Sequence, residues 1–399
     1  MEALRGSGFK GHITVICSEA TRTYDRTKLS KALLADLDKA AWRTEDFYKS
    51  GDINFIQDQV TDVDFNKKSV STESGKSYPY TKLVLATGAS PSSLPLPGLK
   101  SGELDNVFLL RTLKHTQAIT SALGDSPKQV VVIGSSFIGM EVANFLANNK
   151  HTVTVVGMES APTESVFGAK VGKVFQGILE KNGVNFIMDA EVSHASPDKQ
   201  NPSRVGAVHL KGGQELKADL VILGVGVKPA TQFLQEKPDI KMEKDGSLRV
   251  DEHFSVIGQP DVYALGDIAT YPYKGAHVRI EHWNVAQNAG RAAARHIVNP
   301  NAKPKPFVPV FWSALGMQLR YCGHASPQNG GYDDVVIKGE TSPDKPSFAA
   351  FYTQGQKIMA VATLAKDPVM ARSVELMKRD RMPTKKEIEG GKDILQASL

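Results

Sequence analysis

The stretch from Gln129 to Ala143 limits the fold more than any other part of this chain. Val130 to Ile133 are consecutive β-branched residues, a run suited to a strand buried on both faces. Gly134 follows at once. A helical spacing then begins, with Phe137, Glu141 and Phe145 recurring along one face beside Ile138, Val142 and Leu146. Strand, tight turn and helix in this order suit a dinucleotide, because the turn aims backbone amides and a helix N-terminus at a pyrophosphate. Gly134, Ser136 and Gly139 stand at the three fingerprint positions. Ser136 replaces the glycine that lets backbone approach the phosphates, and its hydroxyl is a candidate donor. Taken alone, the same stretch also fits an ordinary glycine turn of an α/β domain.

The next strand, His151 to Val156, ends at Gly157-Met158-Glu159. An acidic residue about 20 positions past the glycines holds adenosine ribose hydroxyls, and Glu159 stands slightly late for that role. A carboxylate there repels a 2′-phosphate, so NADH is expected over NADPH.

The chain has 399 residues, 41% hydrophobic and 23% charged, an ordinary globular composition with room for two or three cores. Its formal charge of +5 is spread along the chain, with clusters only at Lys378 to Arg381 and Lys385-Lys386. Such clusters read as a solvated tail, and nucleic-acid binding is not expected. Cys17 and Cys322 belong to no C-x-x-C pair, so neither a disulfide framework nor a dithiol motif is written here, and both read as buried thiols. No apolar run approaches the roughly 18 residues of a membrane span. The expected location is cytoplasmic, with mitochondrial as the alternative.

From the N-terminus, Met1 to Gly8 reads as a final helical turn and Lys10 to Cys17 as a strand, with Ser18 and Glu19 at its acidic end. Tyr24 to Lys31 reads as a basic loop leading into a helix near Ser30. Phe55 to Phe65 and Tyr80 to Ala86 supply strands, the second ending on Thr87-Gly88, and prolines 91, 95 and 97 mark a linker. An amphipathic helix is predicted over Val171 to Asn182. The apolar strand Leu220 to Leu223 runs into Gly224-Val225-Gly226, where α/β sheets bind ligands. Val262 to Asp267 repeats the pattern of strand, glycine and carboxylate, Asp267 being either a cofactor ligand or an N-cap. A helix from about His282 to Ile297 follows. Antiparallel strands are predicted over 335–339, 348–352 and 358–363, then a helix at Asp367-Pro368 and a loosely held polar tail from Lys385.

Tyr24-Asp25-Arg26 with Leu29-Ser30-Lys31, Ala86-Thr87-Gly88, Gly134 to Glu141, Gly224 to Pro229, Ala264 to Asp267 and Glu281-His282-Trp283 stand in the order seen in flavoprotein pyridine-nucleotide reductases. Within them the chain resembles the apoptosis-inducing-factor-like branch, related to ferredoxin and rubredoxin reductases. Phe311 to Ala314, Leu319 to Tyr321 and Tyr332 to Val335 resemble its Rieske-linked members.

The resemblance implies an α/β flavoprotein reductase with two dinucleotide-binding domains, glutathione-reductase-like, and a C-terminal α+β domain. Its expected bounds are 1–105 with 251–303 for an FAD-type domain, 106–250 for an NAD(P)H-type domain and 304–399 for the rest. It also implies that Ser18 or Glu19 holds the FAD adenosine ribose, the Val60 backbone the adenine, Arg26 the pyrophosphate and Asp267 the ribitol. Thr87 and Gly88 carry the crossing between domains. His282 and Trp283 begin a helix aimed at the flavin O2. Lys31, paired with Glu141 from the second dinucleotide domain, is implied beside flavin N5 as the catalytic pair. Gly134, Ser136, Gly139, Glu159, Gly224 and Gly226 would serve NADH. The implied reaction passes hydride from NAD(P)H to FAD and electrons to an iron-sulfur protein or another acceptor. No metal site is predicted, and a homodimer is compatible with the pattern.

The chain departs from that family in lacking a first strand and glycine loop ahead of Met1, and in lacking a Rieske module. Ser136 and Gly157 replace the usual glycine and acid. Loss of the first strand is expected to leave 13–17 and 83–86 each with an open edge, and to make this chain, as an incomplete version of a longer protein, a poor FAD binder. The alternative reading is an NAD(H)-binding regulatory protein or pseudoenzyme that has lost FAD.

Overall fold

A computed structural model describes residues 1–19, 22–314, 317–325 and 331–399. The chain divides into two compact units. The first comprises Met1–Asp25, Leu37–Ser90 and Val227–Phe307; the second comprises Arg26–Asp36, Pro91–Gly226 and Val308–Leu399.

The second unit contains a parallel sheet ordered Val184–Ile187, Thr152–Val156, Gln129–Ile133, Leu220–Leu223 and Val107–Leu109. Gln129–Ile133 lies at its centre, paired in register with Thr152–Val156 on one side and Leu220–Leu223 on the other. Val130 to Ile133 are all buried, as a run of β-branched residues between two covered faces requires. The helix Phe137–Asn148 follows and buries Met140, Glu141, Val142, Ala143 and Leu146. A smaller antiparallel sheet of Val192–Pro197, Val205–Leu210 and Glu215–Lys217 shares a core with Val131, Ile133 and Val221.

The helix predicted from Val171 begins earlier, at Glu164, and runs to Lys181. It carries a break at Gly168, whose φ of +75° interrupts the helix and hides the true start from the periodicity. Segment Arg26–Asp36 is tied to this unit by Arg26 Nη1 donating to the Arg111 carbonyl at 3.0 Å and Thr116 Oγ1 donating to the Leu34 carbonyl at 3.1 Å. Within it the helix spans Thr27–Ala32, three residues earlier than predicted, and stops where Leu33 turns left-handed at φ +42°.

Further along the same unit, an antiparallel sheet runs in the order Val310–Ala314, Gln318–Gly323, Lys357–Leu364, Ser347–Gln354 and Asp334–Glu340. Its first two strands are not apparent from the sequence. The helix Asp367–Lys378 packs on this sheet through Met370, Leu376 and Met377. The tail is not loosely held. Thr384 and Glu387 close a capping box at the start of Lys385–Glu389, and Ile388, Ile394 and Ala397 are buried in the C-terminal core.

In the first unit, Ile13–Cys17 pairs in parallel with Ile53–Gln57, and Leu83–Leu85 pairs in parallel with Val262–Ala264. Neither Ile13–Cys17 nor Leu83–Leu85 has a second partner among the described residues, so each keeps an open edge. Val84 is 38% exposed, and no residue of Ile13–Cys17 is buried. Cys17 is accordingly half-buried rather than buried, whereas Cys322 is fully enclosed. The core of this unit gathers Val63, Leu85, Leu248, Val262, Ile268, Val285 and Ala289 around the helix Trp283–Val298.

Candidate active site

At the fingerprint turn of the second unit, three glycines interlock. A Cβ on Gly134, whose φ is +105°, would lie 2.4 Å from the Gly224 carbonyl oxygen. One on Gly139 would lie 2.2 Å from the Gly134 oxygen, and Gly224 in turn approaches the Gly139 Cα. The turn thus packs backbone against backbone, which only glycine permits. Gly226 adopts φ +92° with open space around it, so it serves backbone shape rather than close packing.

Ser136 caps the helix position but makes no side-chain bond to its amides. Its hydroxyl donates to the Gly224 carbonyl at 3.0 Å. The donor expected to face a phosphate is therefore committed to the protein, and the helix amides remain the anion-binding groups of this turn.

Glu159 reaches back to the same turn, where Ser135 Oγ donates to its Oε2 at 2.9 Å. A Cβ at Gly157 would meet Ser135 Oγ at 2.8 Å and Met188 Cε at 2.7 Å. That crowding explains why the expected acidic position is a glycine. The carboxylate arrives from two residues later, still at the end of its strand.

The helix Phe137–Asn148 brings Glu141, 5% exposed, to Lys31 of Thr27–Ala32, with Nζ 2.9 Å from Oε1. Two further donors converge on the same carboxylate. Ser30 Oγ donates to Oε2 at 2.5 Å, and Ser313 Oγ, from the strand Val310–Ala314, donates to Oε1. All four residues belong to the second unit. The sequence reading identified the pair and missed both serines. Ser30 adjoins Lys31 and was within reach of inspection, but nothing local points from Ser313 to Glu141. Ring contacts of Phe311 with Phe137 and Tyr321, at 5.3 and 4.7 Å, hold the strand beside the helix.

In the first unit, Glu19 follows Ile13–Cys17 after Ser18 and accepts a hydrogen bond from the Tyr24 hydroxyl. Val60 opens the strand Val60–Asp64. Thr87 Oγ1 donates to the Ala230 carbonyl at 2.7 Å, and Ala230 N donates to the Gly88 carbonyl at 2.9 Å, so Thr87 and Gly88 are held to Ala230 by paired contacts. Asp267 lies within the short turn Gly266–Ile268, whose N-cap is Leu265, which removes the N-cap reading of Asp267. Arg279 Nη1 donates to its carbonyl at 3.2 Å.

A ring nitrogen of His282 accepts the Asn284 amide at 3.1 Å, capping the helix Trp283–Val298 with its own side chain. Trp283 packs against Trp42, ring centroids 5.6 Å apart and planes tilted by 38°. Carboxylates at two strand ends and a helix N-terminus fit the hydroxyl-bearing and ring ends of FAD. For the pyrophosphate, the described residues of this unit include no glycine turn that opens directly into an α-helix.

The pyridine nucleotide-disulphide oxidoreductase family model matches residues 1–290, and a reductase C-terminal model matches residues 310–397. Apoptosis-inducing factor 3 of Homo sapiens is 34% identical over 97% of this chain. The chain spans 62% of the length of that relative. The crystal structure of the ferredoxin reductase for the CYP199A2 system of Rhodopseudomonas palustris has a TM-score of 0.88 and 27% identity, covering 97% of this chain and 93% of that one. The covalent putidaredoxin reductase–putidaredoxin complex has a TM-score of 0.89 and 28% identity, covering 98% of this chain and 92% of that one. No described helix is long and apolar enough to cross a membrane.

Proposed function

Because the chain belongs to the pyridine nucleotide-disulphide oxidoreductase family, we propose that it is an FAD-dependent NADH oxidoreductase delivering electrons to an iron-sulfur protein. The observation that carries this reading is the Lys31–Glu141 pair, whose glutamate stands on the very helix that opens at the nucleotide turn. A buried carboxylate and its lysine, one helical turn past an anion-binding N-terminus, suit hydride chemistry better than they suit packing alone.

Gly134, Gly139, Gly224 and Gly226 shape the nucleotide turn, and the amides of the helix Phe137–Asn148 take the pyrophosphate. Glu159, steadied by Ser135, takes the ribose hydroxyls, and its charge disfavours a 2′-phosphate. Glu19, Val60, Asp267, Thr87 and Gly88 of the first unit, with the helix that His282 caps and Trp283 begins, hold the flavin nucleotide. Arg26 and Lys31, both of the second unit, are the cations proposed to meet cofactor charge. FAD held there would supply two-electron acceptance and one-electron release, the chemistry a nicotinamide and a one-electron acceptor require between them. Lys31 stabilises negative charge as it develops, and Glu141 holds Lys31 in place. The ferredoxin reductase and the putidaredoxin complex among the similar structures support an iron-sulfur acceptor.

The test is spectroscopic. The full chain, supplied with FAD and freed of excess, is titrated with NADH without oxygen. Stoichiometric bleaching of bound flavin is the expected result. A folded protein that binds NADH yet retains no flavin would overturn the enzyme reading in favour of an NAD(H)-binding regulatory protein, a reading that the open edges of Ile13–Cys17 and Leu83–Leu85 favour.

A further inference from the structure

The Glu141 carboxylate receives three donors from two other chain segments: the Ser30 hydroxyl, the Ser313 hydroxyl and the Lys31 ammonium. A buried carboxylate is stable only where donors meet its lone pairs, and each hydroxyl also restricts its rotation. Lys31 is a point charge on a flexible four-carbon stem, so its ammonium goes where its acceptor stands. The acceptor here is Oε1, the oxygen that Ser313 also addresses.

The strand Val310–Ala314 places Ser313 by simple alternation. Val310 and Trp312 face an outer cleft of about 500 Å³ with Met370 and Val374, while Phe311 and Ser313 face the helix Phe137–Asn148. Ser313 is 3% exposed and Ser30 7%, so water does not replace either hydroxyl freely.

We propose that Ser30 and Ser313 are positioning residues, whose hydroxyls fix the Glu141 carboxylate so that it holds the Lys31 ammonium at one place. The inference rests on the proposed role of Lys31 beside the flavin, but it is read first on Lys31 itself. Ser313 thereby links the C-terminal sheet to the helix of the nucleotide turn through one carboxylate.

The experiment measures hydrogen exchange at the Lys31 ammonium by NMR in the full chain labelled with 15N-lysine, the signal being assigned with Lys31→Arg. In Ser30→Ala and in Ser313→Ala, exchange accelerates about tenfold, as expected for loss of a charge-assisted contact. Melting temperatures are recorded alongside. Where an alanine variant melts early, Ser→Cys at the same position keeps the shape with a weak donor and carries the same expectation. Variants that melt as the native chain does and exchange Lys31 at the native rate would overturn the proposal.

A second readout separates this proposal from the flavin reading. In FAD-loaded protein the rate of flavin reduction by NADH falls about tenfold in the serine variants, with NADH affinity unchanged. Faster Lys31 exchange with an unaltered reduction rate sustains the positioning role and overturns the role given to Lys31 in hydride transfer.

Discussion

Lys31 Nζ lies 2.9 Å from Glu141 Oε1, an ion pair whose lysine is 22% exposed and whose glutamate is 5% exposed. The two ends are therefore unequal. Lys31 can be withdrawn into water, whereas Glu141 cannot, so the carboxylate is the fixed member and the ammonium the responsive one. Lys31→Met leaves a buried carboxylate with only hydroxyl donors. It is expected to lower stability by about 1–3 kcal/mol, read from chemical denaturation, and to slow flavin reduction by NADH about 100-fold in a stopped-flow trace. A variant that reduces flavin at the native rate would remove the pair from the chemistry.

On the proposed reading, Glu159 sets the choice of nucleotide. Glu159→Arg replaces a ribose acceptor with a phosphate-binding fork, and Ser135 loses its acceptor. The ratio of kcat/KM for NADPH over NADH is expected to rise about tenfold or more. An unchanged ratio would show that another residue reads the ribose.

The third fingerprint glycine tolerates no methyl group. Gly139→Ala sets a Cβ 2.2 Å from the Gly134 carbonyl oxygen, backbone that cannot yield without opening the turn. NADH affinity is expected to fall at least about tenfold by fluorescence titration, with the far-ultraviolet dichroism of the chain retained. Native affinity would mean that the turn relaxes easily.

Burial lowers the pKa of His324, whose Nε2 has no partner among the described residues. Below pH 6.5 the unfolded chain takes up a proton at this site that the folded chain resists, so stability falls as pH drops through that value. His324→Phe removes the site. The fall in melting temperature between pH 7.5 and pH 5 is expected to be smaller in the variant by about 2 °C or more. An identical fall in both proteins would assign the acid sensitivity to other groups.

The tail holds by two isoleucines. Ile388 and Ile394 are 1% and 3% exposed, and either one replaced by alanine is expected to cost about 2–4 kcal/mol in urea denaturation. The same change at Leu395, 45% exposed, is expected to stay within about 0.5 kcal/mol. Equal small effects at all three would restore the picture of a loose tail.

The sequence by itself determined what depends on near neighbours. The run Val130 to Ile133 had to be a doubly covered strand, Gly134 and Gly139 had to bound a turn, and the spacing of Phe137, Glu141 and Phe145 had to begin a helix. Those features follow from steric and periodic rules that act over a few residues. The glycine pattern around 224 and the carboxylate at 159 were legible for the same reason, because they sit at strand ends whose positions the periodicity gives.

Tertiary structure alone decided where the remaining partners stand. Ser30 and Ser313 meet Glu141 across 111 and 172 residues of chain, and Ser136 turns its hydroxyl to Gly224 across 88. A serine has no preferred long-range partner written into its local sequence, since its hydroxyl serves a turn, a cap or a buried carboxylate equally well. The tail was misread on the same ground: its polar composition was visible, but the burial of Ile388 and Ile394 depends on a sheet laid down by strands that precede it by tens of residues. Local rules place the backbone, and packing then selects which side chains become neighbours.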